Sequence, residues 1–242
     1  RLYFDQERFA DPAKSIRGGI PVLFPICGNL PDDRLPLACG DFSLKQHGFA
    51  RDLPWQIALL ADQSGVMLSL TDCADSRRVY PFGFRIQMEL RPLSASLEVS
   101  VTIANTSVST GEPMPFSFGL HPYFNVSDLS LTAVEGLPDH CFNHLEMAEA
   151  ETSAQLSRLA QGVDFLTHPG GPVTLVDEQA GTRLQLHHHE PMDLTVVWTD
   201  PPRAMVCVEP WTGPRQALIS GDRRMELCAG ESTRLCCRYS LS

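Results

Sequence analysis

The strongest constraint on the fold of this chain is a two-residue alternation of apolar and polar side chains. Over residues 97–103 every second side chain is leucine, valine or isoleucine, and glutamate, serine and threonine lie between them. Successive side chains of a strand point to opposite faces, so this period is typical of β-strands with one buried face. Residues 84–90 alternate in the same way. Similar patterns predict further strands at 66–70, 182–188, 194–199, 204–209 and 233–239.

The segments between these strands favour short connections. The chain has 19 prolines and 17 glycines in 242 residues, which suits many turns better than long helices. We expect one helix, over residues 145–160. No internal repeat and no long linker divides the sequence. It therefore predicts an all-β fold, a large antiparallel β-sandwich that forms a single domain over residues 1–242.

The start of the chain supplies no evident strand to pair with an edge of such a sandwich. Residues 1–16 lead directly into the proline- and glycine-rich segment 17–21. The edge strands of a β-sheet need to be covered or paired. We therefore expect either that N-terminal strands are missing from this chain or that another subunit covers the edge.

Charge and cysteine content narrow the classes of partner and compartment. The formal net charge of −10 argues against nucleic acid or an anionic membrane surface as the main partner. No apolar run approaches the length of a membrane-spanning helix. The eight cysteines form no CxxC pair and no repeated spacing, so we expect free thiols and a cytoplasmic protein.

A histidine followed by proline is the first candidate for chemistry. If residues 115–124 form one strand, Ser117, Gly119 and His121 share a face, with two phenylalanines and a leucine on the other. Pro122 holds the histidine in an extended conformation and ends the strand. A histidine beside small neighbours suits acid–base catalysis. A buried histidine that bonds to the backbone would give the same pattern, and this alternative stays open.

A glutamate followed by proline is the second candidate. Residues 204–208 are entirely apolar, and Glu209 then precedes Pro210. Burial disfavours the charged form of a carboxyl group, so the basicity of Glu209 should rise to suit a general base near neutral pH. The alternative is a structural ion pair between Glu209 and an arginine such as Arg215 at the rim of the sandwich.

Two further segments bear on binding. Residues 46–51 contain Gln46, His47 and Arg51 around a glycine, and Arg17 precedes two glycines. Glycines allow the backbone to approach a ligand, and arginines offer forked donors to phosphate or sugar oxygens. Turns stabilised by arginine would look the same.

A metal site receives little support from the spacing. His187 and His189 would share one face of a strand, but no third ligand is placed beside them. We expect no metal and no organic cofactor, and we expect residues 168–172 to form a loop.

Together these segments resemble the aldose 1-epimerase (galactose mutarotase-like) superfamily, and most closely its hexose-6-phosphate mutarotase branch. The matching phrases come in the family's order and span roughly residues 17–218. They are residues 17–21 with 24–25, 46–51, 116–124, and 209–212 with 214–215. The resemblance implies a large twisted β-sandwich of two antiparallel sheets, with the sugar in a cleft.

The resemblance also implies roles for the two candidates. It makes His121 the general acid and Glu209 the general base of an isomerase that opens and recloses the sugar ring. Neither a metal nor an organic cofactor is needed for this reaction. The alternative is a carbohydrate-binding or regulatory module that keeps the fold without turnover.

The same resemblance implies which residues hold the substrate. Arg17 and Arg51 match the arginines associated with the phosphate in the 6-phosphate branch. Gln46, His47 and Asp164 are expected to contact the sugar, His47 and Asp164 through its ring hydroxyls. The expected partner is a small sugar or sugar phosphate, and the expected assembly is a monomer or a homodimer.

Overall fold

A computed structural model describes residues 2–11, 13–108 and 111–242 of the chain. Twenty strands lie in these residues: β1 (Val22–Leu23), β2 (Arg34–Leu37), β3 (Gly40–Ser43), β4 (Gln56–Leu59), β5 (Val66–Thr71), β6 (Phe84–Leu93), β7 (Ser96–Asn105), β8 (Met114–Phe116), β9 (Gly119–Leu120), β10 (Tyr123–Asn125), β11 (Thr132–Glu135), β12 (His140–Asn143), β13 (Ala148–Glu151), β14 (Asp164–Thr167), β15 (Val173–Asp177), β16 (Thr182–His188), β17 (Leu194–Trp198), β18 (Met205–Trp211), β19 (Met225–Leu227) and β20 (Ser232–Leu241).

Helical structure is short. The described α-helices are α1 (Gln6–Ala10), α2 (Ala74–Val79), α3 (Thr152–Leu156) and α4 (Ala217–Ser220), and single 3-10 turns occur at Pro31–Asp33, Ala50–Asp52 and Leu129–Leu131. Within the part of the chain that the structure describes, no helix is long and apolar enough to cross a membrane.

Two eight-stranded antiparallel sheets form the sandwich, and the predicted all-β class is confirmed. One sheet, here called the site sheet, has the order β1-β9-β18-β17-β14-β12-β13, with β10 also paired to β18. The other, the support sheet, has the order β11-β15-β16-β20-β7-β6-β5-β4. All seven strands expected from periodicity are present, because alternating apolar residues can be buried on one face of such a sheet.

Strand β18 shows how the site sheet separates its two faces. Val206 and Val208 belong to the main core, together with support-sheet residues such as Val101 and Leu235. The residues at the alternate positions of this strand, Met205, Cys207, Glu209 and Trp211, point to the opposite face. That face is also buried, which explains why the sequence of β18 reads as an apolar run rather than as an alternation.

The expected helix over residues 145–160 is wrong. Residues 148–151 form β13, which pairs with β12, and only Thr152–Leu156 are helical. Pairing along the sheet therefore overrides local helix propensity in the first part of this segment. The other short helices listed above were also not expected.

The expected single strand over residues 115–124 is likewise broken, into β8, β9 and β10. The amide of Phe118 donates to the hydroxyl of Thr212 at 2.8 Å, and the amide of His121 donates to the carbonyl of Pro21 at 2.9 Å. These bonds replace a continuous ladder and bend the chain around His121. Residues 168–172 lie between β14 and β15 as a loop, as expected.

Candidate active site

One pocket on the outer face of the site sheet gathers the predicted site residues. Its volume is about 220 Å³. All seven residues singled out from the sequence line it: Arg17, Gln46, His47, Arg51, His121, Asp164 and Glu209. It is also lined by residues that the sequence did not single out for the site: Ser15, Tyr123, Val196, Trp198, Trp211 and Arg215.

Strand register explains how distant segments meet in this pocket. Asp164 of β14 is opposite Trp198 of β17, which is opposite Cys207 of β18, which is opposite Tyr123 of β10. These four side chains therefore form one row across one face of the sheet. Glu209 lies two residues further along β18 and so points to the same face.

His121 and Glu209 contact each other in the pocket. The Nε2 atom of His121 lies 3.3 Å from Oε1 of Glu209. His121 is 8% exposed and Glu209 is 1% exposed. The chain brings them together because His121 follows β9 and Glu209 lies in β18, and these two strands are neighbours.

Burial shifts the pKa of both Glu209 and His121 away from their ordinary values. It raises the pKa of Glu209 well above its usual value, and the negative charge of Asp164 adds to this effect. It lowers the pKa of His121 to about 3, and the positive charge of Arg51 acts in the same direction. Burial disfavours the charged form of each residue, so the pair holds one proton over a wide pH range.

Aromatic rings fix the orientation of the His121 imidazole. The ring of Tyr123 stacks on it with centroids 4.8 Å apart, and the ring of Trp198 makes a T-shaped contact with centroids 5.5 Å apart. The Nδ1 atom of His121 is buried without a hydrogen-bond partner among the described residues. The ring instead contacts Glu209 through Nε2, so the alternative of a histidine held by the backbone alone does not account for its position.

The alternative ion pair between Glu209 and Arg215 is also not found. Arg215 donates instead to Oδ2 of Asp164 at 2.7 Å and to Oδ1 of Asn29 at 3.1 Å. Glu209 accepts a hydrogen bond through Oε2 from the indole N–H of Trp211, at 3.1 Å. The buried carboxyl group thus has an uncharged donor in the place where a guanidinium was considered.

Asp164 has a second partner that the sequence reading missed. The Nδ1 atom of His144 lies 2.7 Å from Oδ1 of Asp164. The side chain of His144 is 1% exposed and lies behind the pocket, directly after β12. The sequence predicts a helix from residue 145 instead of a turn. A turn after a strand would have placed His144 beside the sheet. Asp164 is therefore held between an imidazole and a guanidinium.

His47 presents one defined ring atom to the pocket. Its Nδ1 atom accepts a hydrogen bond from the amide of Gly28 at 3.1 Å. Burial lowers the pKa of His47 well below its usual value, so the ring is neutral and carries its proton on Nε2. His47 has a positive φ of 67°, which turns the chain sharply before Gly48. This residue can donate a hydrogen bond to a sugar hydroxyl.

The arginines differ in how strongly they are engaged. Arg17 donates through Nε to Asp200 at 3.4 Å and lies 5.4 Å from the centroid of the Trp198 ring. Arg51 donates to the backbone carbonyl of Gln46 at 3.1 Å. A guanidinium has five N–H donors, so both arginines retain donors for an anionic ligand.

The candidate position for a metal ion lies at His121 and Glu209. Among the described residues, the group whose ligand atoms lie close enough for one cation, within 4.8 Å of one another, is His121, Cys207 and Glu209. Burial raises the pKa of the Cys207 thiol well above its usual value, which disfavours the thiolate that a metal would bind. His187 is in β16 and His189 lies beyond its end, so the two do not share a strand face as considered.

One of the pocket residues that the sequence analysis did not single out could have been predicted from the strand period. Trp211 follows Glu209 by two residues in the same strand, so the strand period already places both on one face. Trp198 and Tyr123 join the site through cross-strand register, which a single sequence does not reveal.

Comparison with known proteins finds similarity to one family of sugar epimerases. A family model described as Aldose 1-epimerase matches residues 3–240. A Cenchrus ciliaris protein named "Putative glucose-6-phosphate 1-epimerase" is 34% identical over 146 residues, which cover 56% of this chain and 40% of that protein. A protein of Escherichia coli strain K12 with the same name is 33% identical over 138 residues, which cover 56% of this chain and 41% of that protein. The matched part is thus about two fifths of these relatives' length.

Solved structures show the same fold over more of the chain. The Slr1438 protein of Synechocystis sp. PCC 6803 is 32% identical with a TM-score of 0.92, covering 100% of this chain and 84% of that one. A galactose mutarotase related enzyme of Lactobacillus acidophilus is 21% identical with a TM-score of 0.77, covering 92% and 82%. The second likeness concerns the fold alone.

Proposed function

This chain belongs to the aldose 1-epimerase family, and on that premise we propose that it interconverts the α and β anomers of a hexose 6-phosphate. The observation that carries the proposal is the contact of 3.3 Å between Nε2 of His121 and Oε1 of Glu209 in the pocket. Ring opening takes a proton from the anomeric hydroxyl and adds one to the ring oxygen, and these two oxygens are bonded to the same carbon. An acid and a base that serve both oxygens have to be neighbours, and these two are.

The reaction follows from these positions. Glu209 removes the proton from the anomeric hydroxyl, and His121 delivers a proton to the ring oxygen. The bond between C1 and the ring oxygen breaks as the carbonyl forms at C1. After rotation about C1–C2, the two residues reverse their roles and the ring closes on the other face. Protons are conserved, since the enzyme gains one and loses one in each direction.

The resting proton of the pair adds one requirement. Burial raises the pKa of Glu209 and lowers that of His121, which places the shared proton on Glu209. For Glu209 to act as the base, this proton has to pass to His121 when the sugar binds. The contact between the two residues provides the path, and the resulting opposite charges attract each other strongly in a buried site.

The phosphate part of the proposal rests on the arginines and on the relatives. Arg17, Arg51 and Arg215 all line the pocket, although the chain as a whole has a net charge of −10. Asp164 already pairs with Arg215, so Arg17 and Arg51 are the better candidates for a phosphate. The two curated relatives are named for glucose 6-phosphate. Asp164, His47 and Gln46 would then contact the sugar, Gln46 alongside its role as the backbone support of Arg51.

The proposal is tested by following the anomers directly. Freshly dissolved α-glucose 6-phosphate, α-glucose and α-galactose are each monitored by NMR, with and without protein. We expect the protein to accelerate the relaxation of the phosphate far more than that of the free sugars. Equal acceleration of all three would contradict the phosphate part. No acceleration of any would contradict the enzyme, and sugar binding without acceleration would identify a carbohydrate-binding module.

A further inference from the structure

The indole of Trp211 reaches the carboxyl group that the proposed reaction uses as its base. Its Nε1–H donates to Oε2 of Glu209 at 3.1 Å, while Oε1 of the same carboxyl group lies 3.3 Å from Nε2 of His121. The two oxygens of Glu209 therefore have different neighbours. One faces an indole that cannot accept a proton, and the other faces the imidazole.

The indole itself is held from several sides. Trp211 is 1% exposed. The His47 ring makes a T-shaped contact with it, with centroids 5.9 Å apart and an interplanar angle of 78°. The His144 ring stacks on it, with centroids 6.2 Å apart and an angle of 22°. Packing of this kind leaves the N–H little freedom to point elsewhere.

Gly119 closes the remaining side. It is the register partner of Trp211 across β9 and β18. A Cβ atom at Gly119 would lie 2.7 Å from Cδ1 of the indole and 2.9 Å from Sγ of Cys27. A larger residue at position 119 would push the ring aside, so the glycine permits the approach of the two strands that this geometry needs.

We infer that Trp211 is a positioning residue, which holds Oε2 of Glu209 so that Oε1 is the atom that takes the proton from the sugar. This role rests on the proposed function, because it acts through the base of that reaction. A hydrogen bond to a carboxylate favours its charged form and so opposes the effect of burial on Glu209. Trp211 thereby sets both the direction and the strength of the base.

The experiment removes the N–H and keeps the ring. The benzothiophene analogue of tryptophan at position 211 has nearly the same shape without the donor, so the packing stays intact. Trp211→Phe is the second variant. Trp55→Phe is the matched control, because Trp55 does not line the pocket and its indole N–H donates to the carbonyl of Ala50 at 2.9 Å. The Glu209 carboxyl group is followed by carbon NMR as a function of pH, identified by its absence in Glu209→Gln.

We expect Glu209 to titrate at higher pH in both Trp211 variants and at its original pH in Trp55→Phe. We also expect kcat for anomer exchange to fall about tenfold in the Trp211 variants, the typical scale for a hydrogen bond to a charged group, with KM changed less. An unmoved Glu209 titration in the analogue would overturn the inference. If the wild-type protein does not exchange anomers, the proposed function fails, and the titration still decides the role of Trp211.

Discussion

Two histidine–carboxyl pairs lie at the same pocket, and they differ in what surrounds the carboxyl group. In the pair of His144 and Asp164, the carboxylate also binds the guanidinium of Arg215 at 2.7 Å. In the pair of His121 and Glu209, the further partner of the carboxyl group is the indole N–H of Trp211. A guanidinium holds a permanent charge beside Asp164, whereas Glu209 has only a neutral donor.

On the proposed function, this difference distinguishes a pair that stays fixed from a pair that transfers a proton. Burial and the negative charge of Asp164 raise the pKa of Glu209, and no guanidinium among the described residues contacts its carboxyl group to offset them. Asp164 is tied at both oxygens, so it serves as a rigid wall of the pocket. In the proposed reaction, a histidine beside a carboxyl group thus serves binding in one place and chemistry in the other, and a contacting guanidinium distinguishes the two.

The largest expected effect comes from removing the base. Glu209→Gln keeps the shape but cannot take a proton, so we expect kcat for anomer exchange to fall roughly 10²–10⁴-fold, the usual range for acid–base catalysis. Asp164→Asn should act mainly on KM. Steady-state rates from anomer-exchange NMR over a range of sugar concentrations separate the two effects. Similar losses of kcat in both variants would erase the distinction between the pairs.

The next effect concerns Arg51, which does not pair with Asp164 and is proposed to bind the phosphate. Arg51→Ala should lower kcat/KM for glucose 6-phosphate roughly 10–100-fold, because charge-assisted hydrogen bonds to the phosphate are lost. The slower turnover of free glucose should not change. Arg158→Ala, at an exposed arginine away from the pocket, is the matched control. Equal losses on both sugars would make Arg51 a structural residue.

A smaller effect is expected on stability. Asp164→Asn weakens the contacts to His144 and Arg215 and leaves a partly buried guanidinium, so the free energy of unfolding should fall by about 3 kcal/mol. The matched control is Asp62→Asn, which breaks a surface pair with Arg91 at 2.8 Å. Denaturant unfolding of both variants measures the difference. A larger loss in the control would show that the Asp164 pair does not anchor the pocket.

The smallest effect is a flat pH profile. Below the pKa of His121, about 3, both members of the pair are protonated and no base remains. Above the raised pKa of Glu209, both are deprotonated and no acid remains. Between these limits kcat/KM for free glucose, which has no phosphate to titrate at about pH 6, should stay level after correction for the uncatalysed reaction. A fall as pH drops through 6.5, the ordinary value for histidine, would contradict the shared proton.

Much of this arrangement could be predicted from the sequence because strands have a simple period. Alternation located the main strands, and the X-Pro pairs located His121 and Glu209. Cross-strand register and turns are not encoded so locally. His144 was missed because its turn was read as the start of a helix, and Arg215 was considered for Glu209 although it binds Asp164. Which carboxyl group receives the guanidinium depends on contacts between residues 51 positions apart.

The central claim is that His121 and Glu209 act as one unit. It is tested most directly by measuring anomer exchange of glucose 6-phosphate at equilibrium in Glu209→Gln, His121→Asn and the double variant. Residues that act as a unit give strongly non-additive losses. The account predicts that the double variant is no slower than the slower single variant. Losses that multiply would show two independent contributions and contradict the shared proton.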